Sequence, residues 1–191
     1  MTVLSMKKLM PALLAALILI LPFLIHFGSD HFGPTVFAGL LLVIFASRIM
    51  LLPAKFRVFK VVTMSIVCLF CGVIVVYESV DFLLYYPVLM SSFFAFLFFV
   101  SLFSEKTLVE EFARLAGHDY PDEAVSYMRG LTKAWVGLLA FNALAAYYSA
   151  CCQSEKFWLV YNGVVAYVVI SAFISIELLY RSYYRRKFFR S

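Results

Sequence analysis

The sequence predicts an all-α fold, a polytopic membrane bundle of six transmembrane helices plus a short cytoplasmic amphipathic helix at the interface. Three observations lead there. Of 191 residues, 64% are hydrophobic and only 14% are charged, whereas soluble domains are about half apolar and about a quarter charged. Six continuous apolar stretches each approach the roughly 20 residues that a helix needs to cross a bilayer. Finally, 15 of the 16 Lys and Arg residues cluster at alternate ends of those stretches, all on one side if there are six spans.

The stretches run over roughly residues 9–27, 34–52, 58–77, 82–103, 131–152 and 157–180. They read as helices rather than strands because they are continuous instead of alternating. In lipid, every backbone N–H must also be paired within its own segment. No repeat, low-complexity linker or separate soluble region interrupts them, so residues 1–191 are expected to form a single integral membrane domain. In the first stretch, Lys7 and Lys8 precede an apolar core, as in a signal peptide. That core is long, and Pro22, Phe23 and Leu24 stand where small residues would mark a cleavage site, so a retained helix is favoured.

The basic residues set the expected orientation. Lys7 and Lys8 precede the first span, and Arg48, Lys55, Arg57 and Lys60 surround the link from second to third. Lys106, Arg114, Arg129 and Lys133 lie between the fourth and fifth, and Arg181, Arg185, Arg186, Lys187 and Arg190 follow the sixth. Only Lys156 falls on the other side, where the links "GSDHFG", "ESVD" and "QSEK" are short and mostly acidic. The positive-inside rule then places both termini in the cytoplasm. The net charge of +5 does not imply nucleic acid, because the basic residues flank apolar runs rather than sharing a polar face. The expected partners are membrane lipids and their anionic phospholipid headgroups, where each basic residue contributes about 1 kcal/mol. Trp135, following Arg129 and Lys133, reads as an aromatic anchor at the interface.

Residues 104–130 are the one sizeable polar segment. Leu108, Val109, Phe112, Leu115 and Ala116 share one helical face. Thr107 with Glu110 fits a capping box, and Gly117 fits a helix stop. Glu110, Glu111 and Arg114 are expected on the polar face of this amphipathic helix. Pro121 suits the first turn of a further helix, which either continues into the fifth span or bends at Gly130.

Candidate chemistry is sparse. Cys68 and Cys71 form a CxxC, and Cys151 and Cys152 are adjacent. The CxxC falls in mid-span and neighbouring cysteines pair poorly, so buried small hydrophobes are the favoured reading. His26, Asp30, His31, Glu78, Asp81 and Glu155 gather on the non-cytoplasmic side. Nothing resembles a metal-binding spacing there, and solvated loop residues are expected. Arg48 and Glu177 each stand about one turn inside the cytoplasmic end of a span. Equal depth makes them possible partners, with Arg181, at i+4 from Glu177, as the local alternative. Asn142, Ala146 and Ala150 make a small stripe for close helix approach, with Asn142 as a polar tie.

The stretch from "EKTLVEEFARLAG" through "YMRGLTKAWVGLLAFNALAAYY" to "FWLVYNGVVAYVV" resembles a small bacterial inner-membrane family. Genes of that family accompany those for aryl polyene and related fatty-acid-like biosynthesis, and it is distantly similar to intracellular septation protein A. The residues that carry the resemblance are Tyr127, Arg129, Leu131, Thr132, Trp135, Asn142, Glu177 and Arg181, with Trp158 as the later Trp of the septation protein. Leu84, Tyr85 and Tyr86 stand where the septation protein carries basic residues. The resemblance implies a non-catalytic protein that supports envelope or lipid-linked product assembly or transport, with biosynthetic or envelope protein partners and no cofactor. Two alternatives remain open. One is a membrane enzyme acting on an acyl or lipid substrate in a polar cavity lined by Arg129, Asn142 and Glu177. The other is a membrane thiol oxidoreductase.

Overall fold

The computed structural model describes residues 20–51, 57–115 and 123–188. Several sequence expectations lie outside them, namely most of the first stretch with Lys7 and Lys8, Lys55, the helix stop at Gly117, the start at Pro121, and Arg190. The side chains of Arg185, Arg186 and Lys187 also lie outside.

The described residues are helical and contain no strand. In chain order they form α1 (residues 20–28), α2 (Pro34–Met50) and α3 (Arg57–Tyr77). A 3-10 stretch (Val80–Tyr85) leads into α4 (Tyr86–Ser101), followed by α5 (Leu108–Leu115) and α6 (Glu123–Cys152). The last run is α7 (Glu155–Val160), a π-helical stretch (Tyr161–Val165) and α8 (Ala166–Phe188). Four helical segments are long and apolar enough to cross a membrane: Phe59–Tyr77, Val80–Ser101, Ala124–Cys152 and Glu155–Ser182. The helix Pro34–Met50 is apolar but shorter, at 17 residues. Leu69, Val76, Leu144 and Leu179 are 72, 78, 71 and 72% exposed. Water would penalise such a surface, and lipid does not.

The chain divides into two units. The first is Met1–Leu84 with Glu155–Gly163, and the second is Tyr85–Ser154 with Val164–Ser191. In the first, α2 packs along α3. Phe37, Ala38, Leu41 and Ile44 are buried on α2, and Thr63, Val67, Cys71 and Ile74 on α3. Both sets recur at helical spacing, so each is a single stripe. Pro34 opens α2 at a position where the missing N–H costs no hydrogen bond. Trp158 of α7 is 1% exposed, and its indole Nε1 donates to the Leu84 carbonyl at 2.9 Å.

At the π-helical stretch, Asn162 Nδ2 donates to the Trp158 carbonyl one turn back at 3.0 Å. Gly163 follows, and the Phe23 ring lies so close that a Cβ there would stand 2.9 Å from it.

In the second unit α4 packs along α6, and α5 rests on α6. The buried residues Ser91 and Ala95 of α4, and Asn142, Ala143, Ala146 and Ser149 of α6, are small. Small residues let two backbones approach where no hydrophobic force drives helices together. The structure resolves the alternatives at Gly130: α6 runs unbroken from Glu123 to Cys152. Its 30 residues span about 45 Å, at about 1.5 Å each. A bilayer's hydrocarbon is about 30 Å thick, so α6 is longer than an upright span needs.

Candidate functional site

Most of the polar residues singled out in the sequence lie in the second unit, at two depths along α6. The deeper level is a tie between helices. Asn142 Nδ2 donates to Ser91 Oγ at 2.8 Å, with both residues buried. Of the predicted stripe, Asn142 and Ala146 are buried, while Ala150 is partly exposed. Ser149, with its hydroxyl turned back to the Ala146 carbonyl at 2.7 Å, completes the packed face.

The second level surrounds Glu177. Tyr127 Oη donates to Glu177 Oε1 at 3.2 Å, and Arg181 Nε stands 3.7 Å from the same oxygen. The Tyr127 ring stacks on Tyr180 with centroids 5.7 Å apart. Arg181 is thus the local partner that its i+4 spacing suggested, and Tyr127 comes from the polar start of α6. Arg48 lies in the last turn of α2, where its charge opposes the negative end of the helix dipole.

Trp135 is partly buried between Phe98 of α4, at 5.9 Å, and Phe173 of α8, at 4.9 Å with the rings nearly perpendicular. Edge-to-face aromatic pairs contribute about 0.5–1.5 kcal/mol beyond their area, so this Trp joins three helices. Arg129 also has a defined partner, since its Nη2 donates to the Ser104 carbonyl at 3.2 Å and holds the turn after α4. Thr132 is fully buried, with its hydroxyl on the Met128 carbonyl one turn back at 2.8 Å.

One half of the capping box forms, the Thr107 amide donating to Glu110 Oε1 at 3.2 Å. The Thr107 hydroxyl donates to the same oxygen at 3.0 Å, and Ser101 Oγ accepts the Leu108 amide at 3.2 Å. Glu110 was expected on the polar face of α5, but it is 2% exposed. Reaching back to the cap turns its carboxylate inward, so one oxygen serves both donors. Phe112, expected on the apolar face, is half exposed.

The first unit brings other residues together. His26 Nδ1 lies 3.8 Å from Glu155 Oε2, a pair joining α1 to the start of α7. Cys71 Sγ, at 3.4 Å, donates to the Ala38 carbonyl on α2. The cysteines correct the reading as buried hydrophobes: only Cys71 is buried, while Cys68, Cys151 and Cys152 are exposed. An open cavity of about 420 Å³ is lined by aromatic and aliphatic groups, among them Phe23, Phe27, Phe32 and Phe37.

Sequence reasoning missed Ser91, Phe98 and Phe173. Each belongs to an apolar run whose composition carries no signal for the one residue that meets a partner. No family model, curated protein or solved structure matches the chain.

Proposed function

We propose that the chain is a six-span protein of a bacterial inner membrane, with both ends of the chain on the cytoplasmic side. In this reading it has no catalysis of its own. It scaffolds the assembly or transport of an envelope or lipid-linked product of the aryl polyene type, in keeping with the family it resembles. The helix Pro34–Met50 serves as a span despite its 17 residues, which is the low end of the range that crosses hydrocarbon. The α5 helix lies along the cytoplasmic interface with Phe112 toward lipid. Lys133 and Arg181, both exposed, meet anionic headgroups.

One observation carries the scaffold reading. Arg129, Asn142 and Glu177, the residues an acyl-chain enzyme would need free in a cavity, are engaged with Ser104, Ser91 and Tyr127 on other parts of the fold. Side chains that tie elements together are held in fixed positions and contribute shape rather than proton transfer. The test is lipid and pigment profiling of a deletion strain, complemented with Arg129→Ala and Glu177→Gln. A scaffold predicts an altered lipid-linked profile in the deletion, restored by both variants once protein levels are matched. Loss of the product at normal protein level in either variant would favour the enzyme.

A further inference from the structure

Cys151 and Cys152 are the last two residues of α6. Their sulfurs stand 2.8 Å apart, and both residues are exposed. The two thiols are therefore in direct contact. The chain beyond them is polar, beginning with the exposed residues Gln153 and Ser154, so the pair sits where water reaches the end of the helix. Gln153 Nε2 donates to Tyr148 Oη at 2.8 Å and folds the turn back over the last turn of α6. Helical geometry ordinarily points adjacent side chains about 100° apart. At a helix end the following backbone is free to adjust, and here the two sulfurs converge.

We infer that Cys151 and Cys152 are a redox-active vicinal dithiol that closes into an intramolecular disulfide by exchange with an external disulfide. One thiolate attacks a sulfur of the external disulfide, forms a mixed disulfide and releases the first external thiolate. The neighbouring thiolate attacks the protein-side sulfur of that bond, the ring closes, and the second external thiolate leaves. Two protein thiols are oxidised, one external disulfide is reduced to two thiols, and the two protons pass to the released thiolates. Adjacent Cα atoms lie about 3.8 Å apart across a trans peptide, below the roughly 4.4–6.8 Å usual for a disulfide. The closed ring is therefore strained and easily reduced, which suits a reversible switch better than a structural staple. Closing it also takes the last residue of α6 out of helical geometry, so the redox state alters the turn that Gln153 and Tyr148 hold.

The test uses the native protein in detergent. Trypsin cuts after Lys133 and Lys156 and places both cysteines on one peptide, apart from Cys68 and Cys71. The protein is incubated with oxidised glutathione, alkylated with N-ethylmaleimide, digested and weighed. The expected peptide has lost two hydrogens, carries neither alkyl group nor glutathione, and regains both alkylation sites after reduction. Cys151→Ser and Cys152→Ser should each stop at the mixed disulfide, gaining one glutathione. A native peptide that keeps glutathione, remains alkylated twice, or crosslinks to a second chain would overturn the inference.

Discussion

Glu177 sits on α8 between Ile176 and Leu178, which are 65 and 47% exposed. A carboxylate so placed must find donors, because an unpaired charge at membrane depth is costly. The Tyr127 hydroxyl and the Arg181 guanidinium supply them. With both in place, Glu177 has no need of a distant partner. Of the two, Tyr127 should matter more, because Arg181 is half exposed and exposed pairs contribute little. Tyr127→Phe should destabilise the detergent-solubilised protein by about 1–3 kcal/mol, and Arg181→Gln by well under about 1 kcal/mol. Thermal melts of both variants check the order, and a larger loss from Arg181→Gln would contradict it. The Ser91–Asn142 bond should behave more modestly. Interhelical hydrogen bonds in membranes average about 0.6 kcal/mol, so a double-mutant cycle with Ser91→Ala and Asn142→Ala should yield a coupling of that size. Strict additivity would mean that the bond stabilises nothing. At this scale the sequence made both halves of the Glu177–Arg181 pair legible, and one half of the Ser91–Asn142 pair. Asn142, Glu177 and Arg181 stand out because polar residues are rare in apolar runs. Ser91 does not, since its value depends on a helix 51 residues away.

Local chemistry was easier to read at the scale of whole elements. Thr107 and Glu110 have capping-box spacing, and the structure makes the expected bond from the Thr107 amide to the Glu110 carboxylate, with the Thr107 hydroxyl donating to that carboxylate as well. The same reading failed on burial, because a face assigned by spacing does not allow for a side chain that bends back to its own cap. The box should therefore anchor α5 from inside rather than decorate its surface. Thr107→Ala should cost about 1 kcal/mol. Glu110→Ala should cost more, about 1–3 kcal/mol, since it leaves two buried donors without their acceptor. Hydrogen exchange should then speed up over Leu108–Leu115 and not along α4; uniform exchange along both would deny α5 its separate anchor. The π-helical stretch lay beyond the sequence for a different reason. Asn162 and Gly163 look unremarkable in an apolar run, and nothing in its composition marks where the helical register changes.

Across the whole molecule, the apolar runs foretold helices, four of them long and apolar enough to cross a membrane among the described residues, because length and continuity are properties of the chain itself. What they could not foretell was that one chain would divide into two units, with residues 155–163 in the first and 164–191 in the second. That division depends on contacts between residues far apart in sequence. Orientation is the remaining global property, and contacts inside each unit bear on it. In the first unit, His26 meets Glu155 and Trp158 meets Leu84, all at ends that the charge pattern assigns to the non-cytoplasmic side. In the second, Arg129 meets Ser104 and Tyr127 meets Glu177, all at ends assigned to the cytoplasm. The proposed orientation puts 15 of the 16 basic residues on one side. Reporter fusions should follow. A phosphatase active only outside the cytoplasm should work when fused at Ser154, in the link between α6 and α7, and stay silent at Ser191. A cytoplasm-active fluorescent protein should give the reverse pattern. Phosphatase activity at Ser191 would invert the orientation, and activity at both positions would mean that the helix beginning at Glu155 does not cross.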